Sequence, residues 1–266
     1  MDFNWKIIMT ILDNIIADKK IEVAERKKRF SISDLIKSQH FDRQTFSLKK
    51  NLQESASGII AEFKRKSPSK GWINQQADAV KIASGYCRNG ASGISILTDL
   101  PYFGGVPDDL ISARQHVTCP ILRKDFIIDE YQLFEAKSYG ADVILLIAAA
   151  LTPAECVALA QKAKELGLEI LLEIHDDSEL NHINQYIDLV GVNNRNLKTF
   201  EVSIDVSLSL ATRIPDEFVK ISESGISSVE TIKTLHEAGF KGFLMGENFM
   251  KEANPAEILR TFIEKI

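Results

Sequence analysis

The chain has no glycine-rich phosphate loop after its first apolar run, no cysteine pair at metal-ligand spacing, and no apolar stretch able to cross a bilayer. Its longest uninterrupted apolar run, Val143 to Leu151, is nine residues, against the roughly 20 that a spanning helix needs. No membrane partner is therefore expected. Cys87, Cys119 and Cys156 are odd in number and widely separated. Neither a disulfide framework nor a metal site is expected from them, and a reducing cytoplasm is the natural compartment. Near the N-terminus, Lys6-Ile7-Ile8-Met9-Thr10-Ile11-Leu12 is soon interrupted by Asp13, so no signal peptide is expected. Positive charge is not in excess: 32 Lys and Arg stand against 37 Asp and Glu, a formal net charge of −5. That argues against a nucleic-acid binder but allows a locally basic pocket for a small anion. Flavin, nicotinamide and metal motifs are all missing, so no cofactor is expected.

What is present is a rhythm. A length of 266 residues suits one large α/β barrel or two smaller domains. Residues 1–50 read as helical and charged: Ile11, Leu12, Ile15 and Ile16 give one apolar face, and Glu22 to Arg29 a solvated, ion-paired one. From residue 58 short β-rich runs alternate with amphipathic stretches. The strand candidates are 59–63, 93–97, 120–123, 142–147, 169–172, 189–192, 218–222 and 242–245. Helices are expected over 79–86, 130–138, 153–166, 229–238 and 255–263. Gly140, Gly167 and Gly239 follow helices where a left-handed cap is wanted, and Thr152 precedes Pro153 as an N-cap. Strands separated by helices pair in parallel through right-handed crossovers. Eight such units predict a (β/α)8 barrel over 51–266, with 1–50 as a helical extension packed on it. An open doubly wound sheet would favour a glycine-rich loop where Lys64-Arg65-Lys66-Ser67-Pro68 stands.

Active sites of such barrels form at the C-terminal strand ends, and side chains two apart on a strand share a face. The first strand ends in Glu62 and Lys64, in register with Ile60. In the third, Lys124 comes two residues after Leu122, and in the fifth Glu173 comes two after Leu171. The sixth ends in Asn193 and Arg195, the seventh in Ser222-Glu223-Ser224-Gly225, the eighth in Leu244-Met245-Gly246-Glu247. Any one of these fits a structural role. Lys124 beside Asp125 makes an ordinary strand-end ion pair, Asn193 can cap a loop, and His175 reads as a loop residue. Surface salt bridges account poorly for all of them recurring at strand ends of one type. Ser224-Gly225 and Gly246-Glu247 fit a backbone cradle for phosphate. Arg195 suits a carboxylate, which a guanidinium grips with two parallel bonds. The residues alone lead to a cofactor-independent reaction on a phosphorylated sugar, with a lysine and carboxylates for acid–base work.

Several blocks carry a more specific likeness: Ile60-Ala61-Glu62-Phe63-Lys64-Arg65-Lys66-Ser67-Pro68-Ser69, Leu122-Arg123-Lys124-Asp125-Phe126-Ile127, and Gly191-Val192-Asn193-Asn194-Arg195-Asn196-Leu197. With Leu172-Glu173-Ile174-His175, Ser222-Glu223-Ser224-Gly225-Ile226 and Phe243-Leu244-Met245-Gly246-Glu247, the chain resembles the indole-3-glycerol-phosphate synthases of tryptophan biosynthesis. The resemblance implies a (β/α)8 barrel whose N-terminal segment covers the catalytic face. It implies ring closure, decarboxylation and dehydration of 1-(2-carboxyphenylamino)-1-deoxyribulose 5-phosphate. Lys124 then corresponds to the general acid, with Glu173, Glu62 and Lys64 serving the later proton transfers. Asn193, Arg195, Ser67 and Glu223 would contact substrate, and Phe103, Phe126 and Leu244 would wall the aromatic ring. Ser224, Gly225, Gly246 and Glu247 would line the phosphate end. A small anionic phosphosugar is the expected partner and a monomer the expected state. The chain departs from the family pattern at Leu100-Pro101 and Gly105-Val106, beside Tyr102-Phe103. Two other readings remain: a phosphoribosylanthranilate isomerase, which would place a cysteine where Glu62-Phe63-Lys64 stands, and a non-catalytic phosphosugar-binding barrel.

Overall fold

The computed structural model describes residues 10–197 and 199–266. Residues Lys6–Met9 of the N-terminal run considered above lie outside them. Eight parallel strands close into a barrel: β1 Ile59–Phe63, β4 Gly93–Leu97, β5 Ile121–Lys124, β6 Val143–Ile147, β7 Glu169–Ile174, β8 Leu189–Asn193, β9 Val219–Glu223 and β10 Gly242–Met245. The first strand pairs with β4 on one side and the last, β10, on the other. A small antiparallel hairpin, β2 Lys66–Ser67 and β3 Gly71–Trp72, follows β1. Helices α4 Ala79–Arg88, α6 Pro107–Arg114, α7 Tyr131–Tyr139, α8 Pro153–Glu165, α9 Asp205–Leu210, α10 Val229–Glu237 and α12 Pro255–Ile263 lie between strands or after the last. Single turns α5 Leu100–Phe103 and α11 Glu247–Met250 extend two strand ends. Gly140, Gly167 and Gly239 have φ of 91°, 72° and 95°, the left-handed stops expected of them. Thr152 caps α8 through a complete capping box.

Two apolar layers result from the period-two alternation. Ile59, Ala61 and Phe63 face outward to the helices with Ile94, Ile96, Ile144 and Leu172. Ile60, Leu122, Leu145, Leu171, Ile221 and Leu244 fill the interior. Continuing the inward series toward the C-terminal ends brings Glu62, Lys124, Glu173 and Glu223 onto the same inner surface. The fold thus aims polar groups into the mouth by extending the register that packs the core.

Before β1 the chain serves both ends of the barrel. Helix α1 Ile11–Arg29 lies at the mouth, burying Leu12, Ile15, Lys19 and Val23. Short α2 Ile32–Ile36 packs on α7. Helix α3 Leu48–Glu54 closes the opposite end, where Leu48 and Leu52 join the interior cluster. Gly93 and Gly242 leave room for them: a Cβ at these positions would meet Leu48 at 2.5 Å and Leu52 at 3.2 Å. The charged half of α1 is mostly exposed and ion-paired, as expected, and it is also tied to α7 and the turn before it. Arg26 reaches Glu135 of α7 at 3.0 Å and Lys27 reaches Asp129 at 2.7 Å.

One expectation is overturned. Cys87, at the end of α4, and Cys119, just before β5, form a disulfide with Cα atoms 5.9 Å apart. The pair is 32 residues apart in sequence, a separation with no local signature. Parallel topology brings the end of one helix beside the start of the next-but-one strand, so their meeting is a property of the barrel. Cys156 is free and buried in α8. Among the described residues no helix is long and apolar enough to cross a membrane.

Candidate active site

A cavity of about 190 Å³ opens at the C-terminal ends of the strands. Its wall takes Glu62, Lys64, Ser67, Phe103, Lys124, Phe126, Glu173, Asn193, Arg195, Glu223, Ser224, Leu244 and Glu247, which come from seven strand ends and the loops after them. Gly225 and Gly246 lie behind the wall. Gly225 has φ 76° after a left-handed Ser224 at φ 66°, and a Cβ on it would strike Val202 at 2.5 Å. Gly246 packs against Glu62, whose Cβ would be 2.9 Å from any side chain added there.

Lys124 is the hub. Its Nζ lies 2.8 Å from Glu173 Oε2 and 2.6 Å from Glu223 Oε2. Burial pushes the ammonium toward neutrality, but Glu173, Glu223 and Glu62 outweigh it and its pKa is raised. The two carboxylates diverge. Burial pushes Glu173 up, yet Lys124 and the neighbouring His175 hold it well below the usual carboxylate range. Burial of Glu223 wins over Lys124, and with the negative charge of Glu173 nearby its pKa is pushed up to about 7. One carboxylate stays charged while the other titrates near neutrality, an arrangement suited to proton transfer. The second oxygen of Glu223, Oε1, is buried with no hydrogen-bond partner among the described residues and stands over Gly191, where a Cβ would collide with it.

Across the mouth Lys64 Nζ binds Glu62 Oε1 at 2.5 Å. Asn193 donates from Nδ2 to Glu173 Oε1 at 3.2 Å and accepts from the Arg195 N–H at 3.0 Å. No ion pair involves the Arg195 guanidinium among the described residues, and it borders the cavity. Phe103 and Phe126 lie with ring centroids 6.1 Å apart and form an aromatic wall. Glu247 is ion-paired with Lys70 of the β2–β3 turn, which draws its carboxyl pKa down against burial. The hairpin itself rests on α5 and the glycine that ends it. Lys66 donates to Pro101 O at 2.8 Å, and the Trp72 ring covers Gly104.

Sequence reasoning missed several contributors. Ile11, Leu12 and Ile15 of α1 roof the cavity, and Leu145 and Ile147 of β6 line it with Phe200. The β6 residues carry the same alternating signal as Leu122 and Leu171 but lack a polar group to draw notice. His175, read as a loop residue, touches the site: Nε2 lies 3.3 Å from Glu173 and Nδ1 3.3 Å from Glu179. Burial disfavours its charge, but the two carboxylates prevail and raise its pKa to about 10.

A family profile described as indole-3-glycerol phosphate synthase matches residues 12–262. The chain is 52% identical over 256 residues to the indole-3-glycerol phosphate synthase of Bacteroides thetaiotaomicron, covering 96% of this chain and 98% of that one. Over 254 residues it is 42% identical to the Salinibacter ruber protein of the same description, covering 94% of each. Among solved structures, 3-hexulose-6-phosphate synthase from Salmonella typhimurium superposes with a TM-score of 0.61 at 14% identity, covering 78% of this chain and 97% of that one. That last likeness speaks to the barrel alone.

Proposed function

The chain belongs to the indole-3-glycerol phosphate synthase family, and from that membership we propose how its own residues divide the chemistry. The enzyme is a carboxy-lyase of tryptophan biosynthesis acting on a phosphorylated small molecule. In the first step the ring carbon bearing the carboxylate attacks the ketose carbonyl carbon. Lys124 gives its proton to the carbonyl oxygen as the new carbon–carbon bond forms. Loss of carbon dioxide returns the bonding pair to the ring and restores aromaticity. Dehydration follows: one group protonates the departing hydroxyl and another takes a proton from the adjacent methylene. Glu173 and the Glu62–Lys64 pair serve these transfers.

The observation that carries this reading is the Lys124 ammonium held 2.8 and 2.6 Å from two carboxylates inside the cavity. A general acid must arrive protonated and within reach of the developing oxyanion. Arg195, Asn193, Ser67 and Glu223 orient the substrate, with Phe103, Phe126 and Leu244 around its aromatic ring. Backbone N–H groups near Ser224, Gly225, Gly246 and Glu247 receive the phosphate. A monomer is the working unit in this reading, and sedimentation at assay concentration tests it. A cytoplasmic location belongs to the same reading and can be tested by cell fractionation.

Indole fluorescence after addition of the carboxyphenylamino-deoxyribulose phosphate tests the assignment. Lys124→Met is expected to lower turnover at least ~10²-fold with the circular dichroism spectrum unchanged. Near-full turnover in that variant removes Lys124 from the acid role.

A further inference from the structure

Lys19 is a lysine on the apolar face of α1, buried to 1% exposure. Unpaired burial of an ammonium is prohibitive, and here three carboxylates meet it. Nζ lies 2.9 Å from Asp99 Oδ2, 2.9 Å from Asp125 Oδ1 and 2.7 Å from Glu22 Oε2. Both aspartates are themselves buried, and each holds a wall of the cavity. Asp99 Oδ1 caps α5 by accepting from the Tyr102 N–H at 2.9 Å, and α5 ends in Phe103. Asp125 Oδ1 accepts from the Phe126 N–H at 2.8 Å, directly after Lys124. Its other oxygen accepts from Thr98 Oγ1 at 2.7 Å and Arg123 Nη2 at 2.9 Å. One to two turns before Lys19, on the same helix face, Leu12 and Ile15 roof the cavity. Tyr102 also donates to Asp18 at 2.6 Å, a second tie between α1 and α5.

We propose that Lys19 is a positioning residue that clasps the roof helix to both aromatic walls and so builds the end of the cavity that receives the substrate's carboxyphenyl group. It touches no substrate. Its ammonium sets the distance between Ile15, Phe103 and Phe126 by binding the two aspartates that anchor the aromatic residues' backbone. Among the described residues the phosphate end, formed after β9 and β10, shares no hydrogen bond or ion pair with Lys19, Asp99 or Asp125. Lys19 therefore governs affinity for the aromatic half of the ligand and leaves affinity for phosphate alone untouched. The inference rests on the reading of the site given above.

Its test uses binding, so that it stands apart from the catalytic assignment. The probe is the substrate with its ketone reduced to an alcohol, which cannot cyclise, followed by its anthranilate fluorescence. Displacement by inorganic phosphate reports the other end of the site. In Lys19→Met the probe is expected to bind at least about tenfold more weakly, as small misplacements in a site commonly cost, while the phosphate inhibition constant stays within about twofold of wild type. Asp99→Asn retains an oxygen to cap α5 and loses the charge, so it should show the same split to a smaller degree even if Lys19→Met does not fold. Unchanged probe affinity in the variants, or an equal loss for probe and phosphate, overturns the clasp. A wild-type protein that binds the probe yet forms no indole product would count against the catalytic reading and leave the clasp standing.

Discussion

The two ends of the barrel treat charge in opposite ways. At the closed end Asp142 accepts four hydrogen bonds, from Arg43, the Phe46 N–H, Arg114 and the Ile121 N–H, at 2.6 to 2.8 Å. Glu169 there accepts from Ser47 and from the N–H groups of Leu48 and Lys49. At the open end Glu223 keeps a buried oxygen without a partner among the described residues, and Lys124 is shared between two carboxylates. The satisfied carboxylates Asp142 and Glu169 hold the fold in one arrangement, whereas the unpartnered oxygen of Glu223 stands in a cavity wall where a ligand or a proton can reach it. The same kinds of residue serve stability at one end and reactivity at the other, as barrels of this type separate them.

Removing a charge from the closed end should damage folding and spare chemistry. Asp142→Ala leaves Arg114 buried without its carboxylate, at an expected cost of about 3–5 kcal/mol. Urea unfolding should show it, with the turnover of the folded fraction unchanged; a loss of turnover at equal folded fraction would break the separation. Next in size is the disulfide, also at the closed end. Cys87→Ser should lower stability by about 2–4 kcal/mol under oxidising conditions. Reductant should reproduce that loss in the wild type and add nothing in the variant.

The smallest effect belongs to the open end and depends on pH. Folding raises the Glu223 pKa from the usual 4.5 to about 7, so the native state favours its protonated form. The stability it contributes is complete below about pH 4.5 and is lost as pH rises through 7. Glu223→Gln stays neutral and should lack that slope. At pH 5, where Glu223 is also neutral, the variant should match the wild type, and by pH 8 it should be the more stable of the two. Melting temperatures across this range decide it, and parallel curves would show that Glu223 does not titrate there.

Much of this contrast was legible in the sequence. The bounds of β1, β4 and β10 follow from local apolar runs, and all three match the expected spans. Period two then assigned Glu62, Lys124 and Glu173 to the inner face from Ile60, Leu122 and Leu171. Residues whose role depends on distant partners were not legible. Lys19 looks like one more charge in a charged helix until Asp99 and Asp125 are brought to it. Cys87 and Cys119 meet only because α4 returns the chain to the start of the next strand pair. Helix α6 was not anticipated, because its proline-led segment Pro107–Arg114 mixes buried Asp109 and Arg114 with few apolar positions. Those two side chains are buried by ion pairs to Arg65 and Asp142, which periodicity does not register.

The division of the first fifty residues between the two ends has a consequence for synthesis. Leu12, Ile15, Leu48 and Leu52 leave the ribosome before any barrel strand, yet Leu52 packs beside Gly242 of the last strand, and the barrel closes only when β1 meets β10. At roughly 5–20 residues per second, these side chains wait on the order of ten seconds or more for the surfaces that bury them. The nascent chain thus carries its oldest greasy segments unburied until its newest strand arrives.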